Sequence, residues 1–241
     1  MDSNDRVEYR FPDSESGRVV FRVGDPASSR PVVLLHELGG LSQPTLDYAD
    51  KLVAARCVVH LPLIFGSIGQ QSASRGFAQV CWGRQLTLWL SNRRSKLADW
   101  VGRFCDHIRD ESGHSAVVMG MCATGGVVFS VLMNDSVGGG VAAQPSLPFR
   151  HPWSVHNTGT LGATAEEVEA SAESGKPFAA LRYQRDWICP AGRIVQMAET
   201  FGNENVVEVS GKGHSTLVYE YHDQAHQRVL ELLDQVFDST E

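Results

Sequence analysis

No apolar run in this chain of 241 residues approaches the ~20 residues that a membrane-spanning helix needs; stretches such as 137–143 fall far short. Basic residues are in short supply. Twenty-one Lys and Arg against 28 Asp and Glu leave a formal charge of −7, which argues against nucleic acid and against an anionic membrane as partner. The five cysteines (57, 81, 105, 122 and 189) are odd in number, scattered and without a C-x-x-C pair. That excludes a disulfide framework and a zinc knuckle. The first six residues, Met1-Asp2-Ser3-Asn4-Asp5-Arg6, are polar with no apolar stretch behind them, so no signal peptide is expected and a reducing cytoplasm is the expected compartment. Internal repeats, low-complexity segments and linkers are absent as well, which makes 1–241 one expected domain.

What is present is an alternation of two periodicities. Short apolar runs at 18–23, 31–35, 57–61, 115–121, 137–143, 178–183 and 205–209 predict strands. Apolar residues at helical spacing predict helices over 46–54, 97–108, 126–133 and 221–237, and Thr164-Ala-Glu-Glu167 is a capping box opening a helix to about Ser174. Strands separated by helical segments imply an α/β fold with a mostly parallel sheet and helices on both faces.

Ligands in such sheets bind beyond the carboxyl ends of the strands. The informative residues are therefore those just after each strand: His36–Gly40, Pro62–Gly66, Met121–Ala123, Gln144–Ser146, Arg185-Asp186 and Gly211–His214. Gly120-Met121-Cys122-Ala123-Thr124-Gly125-Gly126 follows a strand and opens a helix, the position of the G-x-nucleophile-x-G elbow. Small neighbours are needed there because the turn is tight and the nucleophile sits at strained backbone angles. Thr124 stands where the second glycine belongs. An isolated cysteine at a strand end is more often a buried structural residue, and Cys57, Cys81, Cys105 and Cys189, which lack the glycine setting, are read that way.

An elbow nucleophile needs a base and an orienting acid, in the chain order nucleophile, acid, histidine. Of nine histidines, His214 alone lies in a glycine-flanked loop between the last strand and the last helix. His60 closes a strand and reads as a core residue, and His107, His114, His222 and His226 fall on helices or helix ends. Asp186 follows its strand at the carboxyl end, whereas Asp135 is at the other edge and Asp223 comes after the histidine. Cys122, Asp186 and His214 satisfy both order and edge.

Together, Cys122 in G-M-C-x-T-G-G, His36-Glu37-x-Gly39-Gly40, Asp186 and Gly213-His214 resemble the dienelactone hydrolase family, from about 31 to 214 and on into the last helix. Gln144-Pro145-Ser146-Leu147-Pro148 resembles a bacterial branch of dienelactone-hydrolase-like proteins. The resemblance implies an α/β-hydrolase fold with a central sheet of about eight strands. It implies that small esters or lactones are hydrolysed by acyl transfer, with no metal or organic cofactor. Cys122 would be the nucleophile, His214 the base and Asp186 its orienter. Glu37 matches the glutamate that contacts the resting thiol, where a carboxylate opposes thiolate formation. The Leu38 and Ala123 amides match the oxyanion donors. Val218 stands where these enzymes carry a carboxylate-binding arginine, which leaves Glu37 without its counter-charge and favours neutral over anionic substrates. Arg84, in the aromatic and basic segment 67–94, is a candidate for a guanidinium reaching in from another loop. Two other readings stay open: an esterase, thioesterase or acyl transferase acting on larger acyl groups, and a ligand-binding or thiol-redox protein on the same scaffold.

Overall fold

The computed structural model describes residues 7–9, 11, 17–64, 66, 68, 96–146 and 161–238. Eight strands form one sheet: β1 (Val7–Tyr9), β2 (Val20–Val23), β3 (Pro31–Leu35), β4 (Val58–Pro62), β5 (Ala116–Met121), β6 (Val137–Ala143), β7 (Phe178–Tyr183) and β8 (Val206–Val209). Their order is β1-β2-β4-β3-β5-β6-β7-β8. β1–β2 and β2–β4 pair antiparallel, and every pair from β4 to β8 is parallel. β3, β5 and β7 are buried along their whole length, as strands covered on both faces must be.

The helices are α1 (Gln43–Ala54), α2 (Lys96–Ser112), α3 (Gly125–Val131), α4 (Ala165–Glu173), α5 (Ala191–Phe201) and α6 (Asp223–Phe237). They divide between two apolar layers. On one face Leu46, Leu52, Val229 and Leu233 of α1 and α6 pack against Val32, Leu34, Met119 and Val141. On the other, Trp100, Phe104, Val128, Val168, Ile194 and Met197 of α2 to α5 pack against Val33, Leu35, Val118 and Ala180. Alternate residues of β3 and β5 thus serve opposite layers, the two-residue period of a strand.

The predicted strands and helices agree with these elements to within a few residues at each end. The capping box at Thr164 forms: its side chain accepts from the Glu167 amide at 3.2 Å while Glu167 Oε2 accepts from the Thr164 amide at 2.9 Å. Two elements escaped the sequence reading. β1 is three residues long and largely exposed, too short to show a period. α5 follows Pro190 and buries only Arg193, Ile194 and Met197, so a charge occupies part of its inward face and blurs the apolar stripe. Among the described residues no helix is long and apolar enough to cross a membrane.

Candidate active site

The carboxyl ends of β3, β5, β6 and β7, with the loop after β8, converge on one edge of the sheet. At the end of β5 the chain turns into a short 3-10 segment, Cys122–Thr124, before α3. Cys122 has φ +54°, a left-handed conformation that L-residues rarely adopt and that costs on the order of 1–3 kcal/mol. The turn is tight. A Cβ at Gly120 would lie 2.4 Å from the Thr124 carbonyl oxygen, and one at Gly125 would lie 2.8 Å from Pro145. Gly125 thus meets the close approach on the helix side, one position later than in the simple motif.

Thr124, the departure from that motif, has a structural task. Its buried hydroxyl accepts from the Met121 amide at 3.0 Å and lies 3.1 and 3.2 Å from the carbonyl oxygens of Leu35 and His36. It ties the elbow to the end of β3. Thr124→Val keeps the shape but leaves the buried Met121 amide without its acceptor. The expected cost is ~1–3 kcal/mol in urea unfolding. A loss indistinguishable from zero would show that the tie contributes nothing.

Asp186, in the turn after β7, is buried and held from two sides. Its Oδ1 accepts from the amides of Ile188 at 2.8 Å and Cys189 at 3.0 Å, and its Oδ2 lies 2.7 Å from His214 Nδ1. Arg182, itself buried, donates to the Asp186 carbonyl at 3.2 Å and braces the turn. With Nδ1 donating to the carboxylate, His214 presents Nε2 to the elbow; Nε2 is buried without a hydrogen-bond partner among the described residues. Burial disfavours the imidazolium, but the hydrogen bond and charge of Asp186 and the nearby Cys122 outweigh it and push the His214 pKa up to about 10. The Glu220 carboxylate caps the loop by accepting from the His214 and Ser215 amides.

Three further cysteines among the described residues are buried and reduced. Burial pushes their thiols up, Cys57 to about 11 and Cys189 to about 12, and Cys105 further still. These are inert thiols. Cys81 lies outside the described residues, as do Arg84 and, apart from Ile68, the whole segment 67–94.

Glu37 follows β3 and is buried. Its Oε1 accepts from Ser215 Oγ at 2.6 Å and Gln144 Nε2 at 3.0 Å, so its hydrogen bonds run to the turn after β6 and to the histidine loop, while the Cys122 sulfur has Ser146 Oγ at 3.2 Å. Burial raises the Glu37 pKa; the two donors and the His214 charge oppose the rise without cancelling it. The sequence reading left this carboxylate uncompensated because Val218 replaces an arginine. Val218 is buried in an apolar cluster, and two neutral donors hydrogen-bond to Glu37.

A buried acid whose folded pKa is raised opposes folding once ionised. The cost is absent below its ordinary value of 4.5 and grows as the pH climbs through the raised folded value. Glu37→Gln is therefore expected to melt higher than the wild type at about pH 8, with the difference closing towards pH 4.5. Thermal melts at both pH values check this; a variant less stable at the higher pH would contradict it.

His36 is neutral and structural. Its Nε2 accepts from the Ile64 amide at 2.9 Å, its Nδ1 donates to the Glu37 carbonyl at 2.7 Å, and burial lowers its pKa to about 4. It pins the loop that carries Leu38. Among the described residues no turn or loop hydrogen bond is donated by the Leu38 amide.

Sequence reasoning passed over Gln144 and Ser146 as site residues. Gln144, at φ +38°, donates to Glu37 and accepts from Thr216 Oγ1 at 2.7 Å, bridging the β3 loop and the histidine loop. Both lie just after a strand, at the edge where ligands bind, which was the available signal. A cavity of about 380 Å³ lined by Arg22, Pro31, Val58, His60, Ile108 and Glu111 opens at the other edge, where β3 and β4 begin, away from Cys122. Among the described residues no group of three His, Cys, Asp or Glu could hold a metal ion.

No protein-family model and no curated protein matches the chain. Solved structures do. A candidate dienelactone hydrolase from Klebsiella pneumoniae superposes with a TM-score of 0.67 at 12% identity, over 97% of this chain and 98% of that one. A dienelactone hydrolase-like promiscuous phosphotriesterase from metagenomic libraries gives 0.63 at 13%, over 96% and 97%. An esterase of Pyrococcus furiosus gives 0.60 at 16%, over 96% and 90%. At such identities the likeness is one of fold, and the fold is that of the α/β-hydrolases.

Proposed function

We propose that this protein is a cysteine-dependent hydrolase of small carboxylic esters or lactones, of the dienelactone hydrolase-like type. The observation that carries the reading is the left-handed Cys122 at the end of β5, near enough to His214 to raise its pKa, with the other nitrogen of that imidazole bonded to the buried Asp186. A retired scaffold has no reason to maintain backbone strain at a thiol beside an oriented imidazole. Several fold neighbours are described as esterases or dienelactone hydrolases, which agrees with acyl-transfer chemistry.

His214 Nε2 takes the proton of the Cys122 thiol, and the Asp186 carboxylate on Nδ1 holds the imidazolium that results. Sulfur attacks the substrate carbonyl carbon, the C–S bond forms, and the carbonyl π pair moves onto oxygen. The Leu38 and Ala123 amides donate to that oxyanion; each such donor is worth roughly 3–4 kcal/mol of barrier. Collapse expels the alcohol oxygen, which takes the proton from His214 Nε2. Water then attacks the thioester, gives one proton to Nε2, and the acid leaves as the thiolate returns. Asp186 keeps its hydrogen bond to Nδ1 throughout and so holds the tautomer in which Nε2 faces the sulfur. The catalytic thiol suits a reducing cytoplasm.

Val218 brings no cation to the pocket, and Glu37 is satisfied by neutral donors, so neutral esters and lactones are the favoured substrates. The test has two readouts. Incubation with an activated neutral ester should add one acyl mass to Cys122, located by peptide mapping; no adduct on that residue sinks the reading. kcat/KM should be higher for a neutral ester than for an anionic lactone. A strong preference for the anionic lactone, abolished by Arg84→Ala, would mean that a guanidinium from the 67–94 segment serves as the clamp.

A further inference from the structure

We infer that Ser146 is a catalytic residue of the same reaction: its hydroxyl donates a hydrogen bond to the Cys122 thiolate and stabilises sulfur as the leaving group when the thioester is hydrolysed. The inference rests on Cys122 being the nucleophile proposed above.

Ser146 Oγ lies 3.2 Å from Cys122 Sγ. The serine is fully buried, and among the described residues this sulfur is the one hydrogen-bond partner of its hydroxyl. Either atom can donate while the sulfur is a thiol; once it is a thiolate, the hydroxyl is the one with a proton to give. The contact is built into the backbone rather than left to a rotamer. The Ser146 amide donates to the Cys122 carbonyl at 3.0 Å, so the two residues are fastened together by their main chains. The turn that delivers Ser146 is shaped by Gln144 at φ +38° and tied down by Arg193 Nη1, which donates to the Pro145 carbonyl at 2.6 Å. A strained residue, a proline and a buried guanidinium thus fix one hydroxyl against one sulfur.

What the hydroxyl does follows from how sulfur changes during the cycle. A thiolate is a charged acceptor and takes a strong hydrogen bond; a thioester sulfur is a poor acceptor. The Ser146 bond is therefore weak in the acyl-enzyme and strengthens as the C–S bond breaks. Only interactions that strengthen towards the transition state accelerate a step. In deacylation the water oxygen bonds to the acyl carbon and one water proton passes to His214 Nε2. The C–S pair returns to sulfur, where the Ser146 proton meets it. The histidine side of the sulfur is occupied by proton transfer at that moment, so Ser146 supplies a donor that His214 cannot.

The experiment compares the wild type with Ser146→Ala, which removes one oxygen and leaves the backbone bond to Cys122 intact. Thermal melts establish that the variant is folded. Iodoacetamide alkylation of Cys122, followed by intact mass across a pH series, reads the thiolate with no ester present. Mass sampling during turnover of an activated neutral ester reads the acyl-enzyme. In Ser146→Ala the alkylation profile should move to higher pH, and acyl-Cys122 should accumulate as deacylation slows about ten-fold or more. If the wild type forms the acyl adduct while the variant alkylates and deacylates at wild-type rates, the role of Ser146 is overturned and the hydrolase reading stands. If the wild type forms no adduct on Cys122, both fall together.

Discussion

Replacing Cys122 with Ala is expected to cut kcat for a neutral ester by roughly 10⁵–10⁶-fold, leaving KM within a small factor of the wild type. The reasoning is chemical before it is structural. Without the sulfur no covalent intermediate can form, and what remains is the oxyanion site and substrate positioning, which by themselves accelerate hydrolysis only modestly. Alanine suits the comparison because it meets the same left-handed backbone at φ +54° with the same Cβ, so the elbow is neither relieved nor worsened. The circular dichroism spectrum and melting temperature should stay close to the wild type. Steady-state kinetics with an activated ester check the rate. Retention of a tenth of the activity would move the nucleophile elsewhere and take the hydrolase proposal with it.

Asp186→Asn is expected to lower kcat by about 10⁴-fold, again with little change in KM. The asparagine oxygen can still accept from the Ile188 and Cys189 amides, as Asp186 Oδ1 does at 2.8 and 3.0 Å, so the turn after β7 survives. The position 2.7 Å from His214 Nδ1 then carries an amide NH₂, which donates and so demands the tautomer with its proton on Nε2. That tautomer cannot accept the thiol proton. A second signature lies in the pH dependence of stability. His214 is raised from an ordinary 6.5 to about 10, so its contribution is complete below pH 6.5 and is lost as the pH rises through about 10. The stability gap between wild type and Asp186→Asn should accordingly be widest at and below pH 6.5 and narrow towards pH 10, as read by denaturant unfolding across that range. A gap that widened with pH would contradict the charge pairing of His214 with Asp186.

Much of this site is written along the chain because its chemistry depends on local rules. A nucleophile elbow must follow a strand and open a helix with little side-chain bulk around it, and Gly120-Met121-Cys122 does both within three residues. The order of thiol, acid and histidine, and the position of each just past a strand, follow from how parallel strands end on one edge. The strands themselves were legible because burial on both faces demands unbroken apolar runs, as in Pro31–Leu35 and Phe178–Tyr183. α5 was not, because Arg193 points inward there and interrupts its apolar stripe.

The partners of those residues were decided by tertiary structure. Thr124 departs from the motif in the sequence, yet in the fold its hydroxyl binds a β5 amide beside the carbonyls of Leu35 and His36, 89 and 88 residues away in sequence. The sequence predicts a Glu37 without a counter-charge; Ser215 and Gln144, 178 and 107 residues distant, hydrogen-bond to it and the His214 charge acts on it as well. Gln144 and Ser146 carry no motif, since amide and hydroxyl side chains are common after strands and acquire meaning only from what faces them. The sequence by itself determined the fold class, the strained thiol and the residues eligible to serve it, because strand period, turn sterics and chain order act over a few residues. Which hydrogen bonds hold Glu37, what touches the sulfur and how the histidine loop is fastened were decided only by the folded structure. These depend on side chains from β3, β5, β6 and the loop after β8 meeting at distances of 2.6–3.3 Å, which no spacing along the chain encodes.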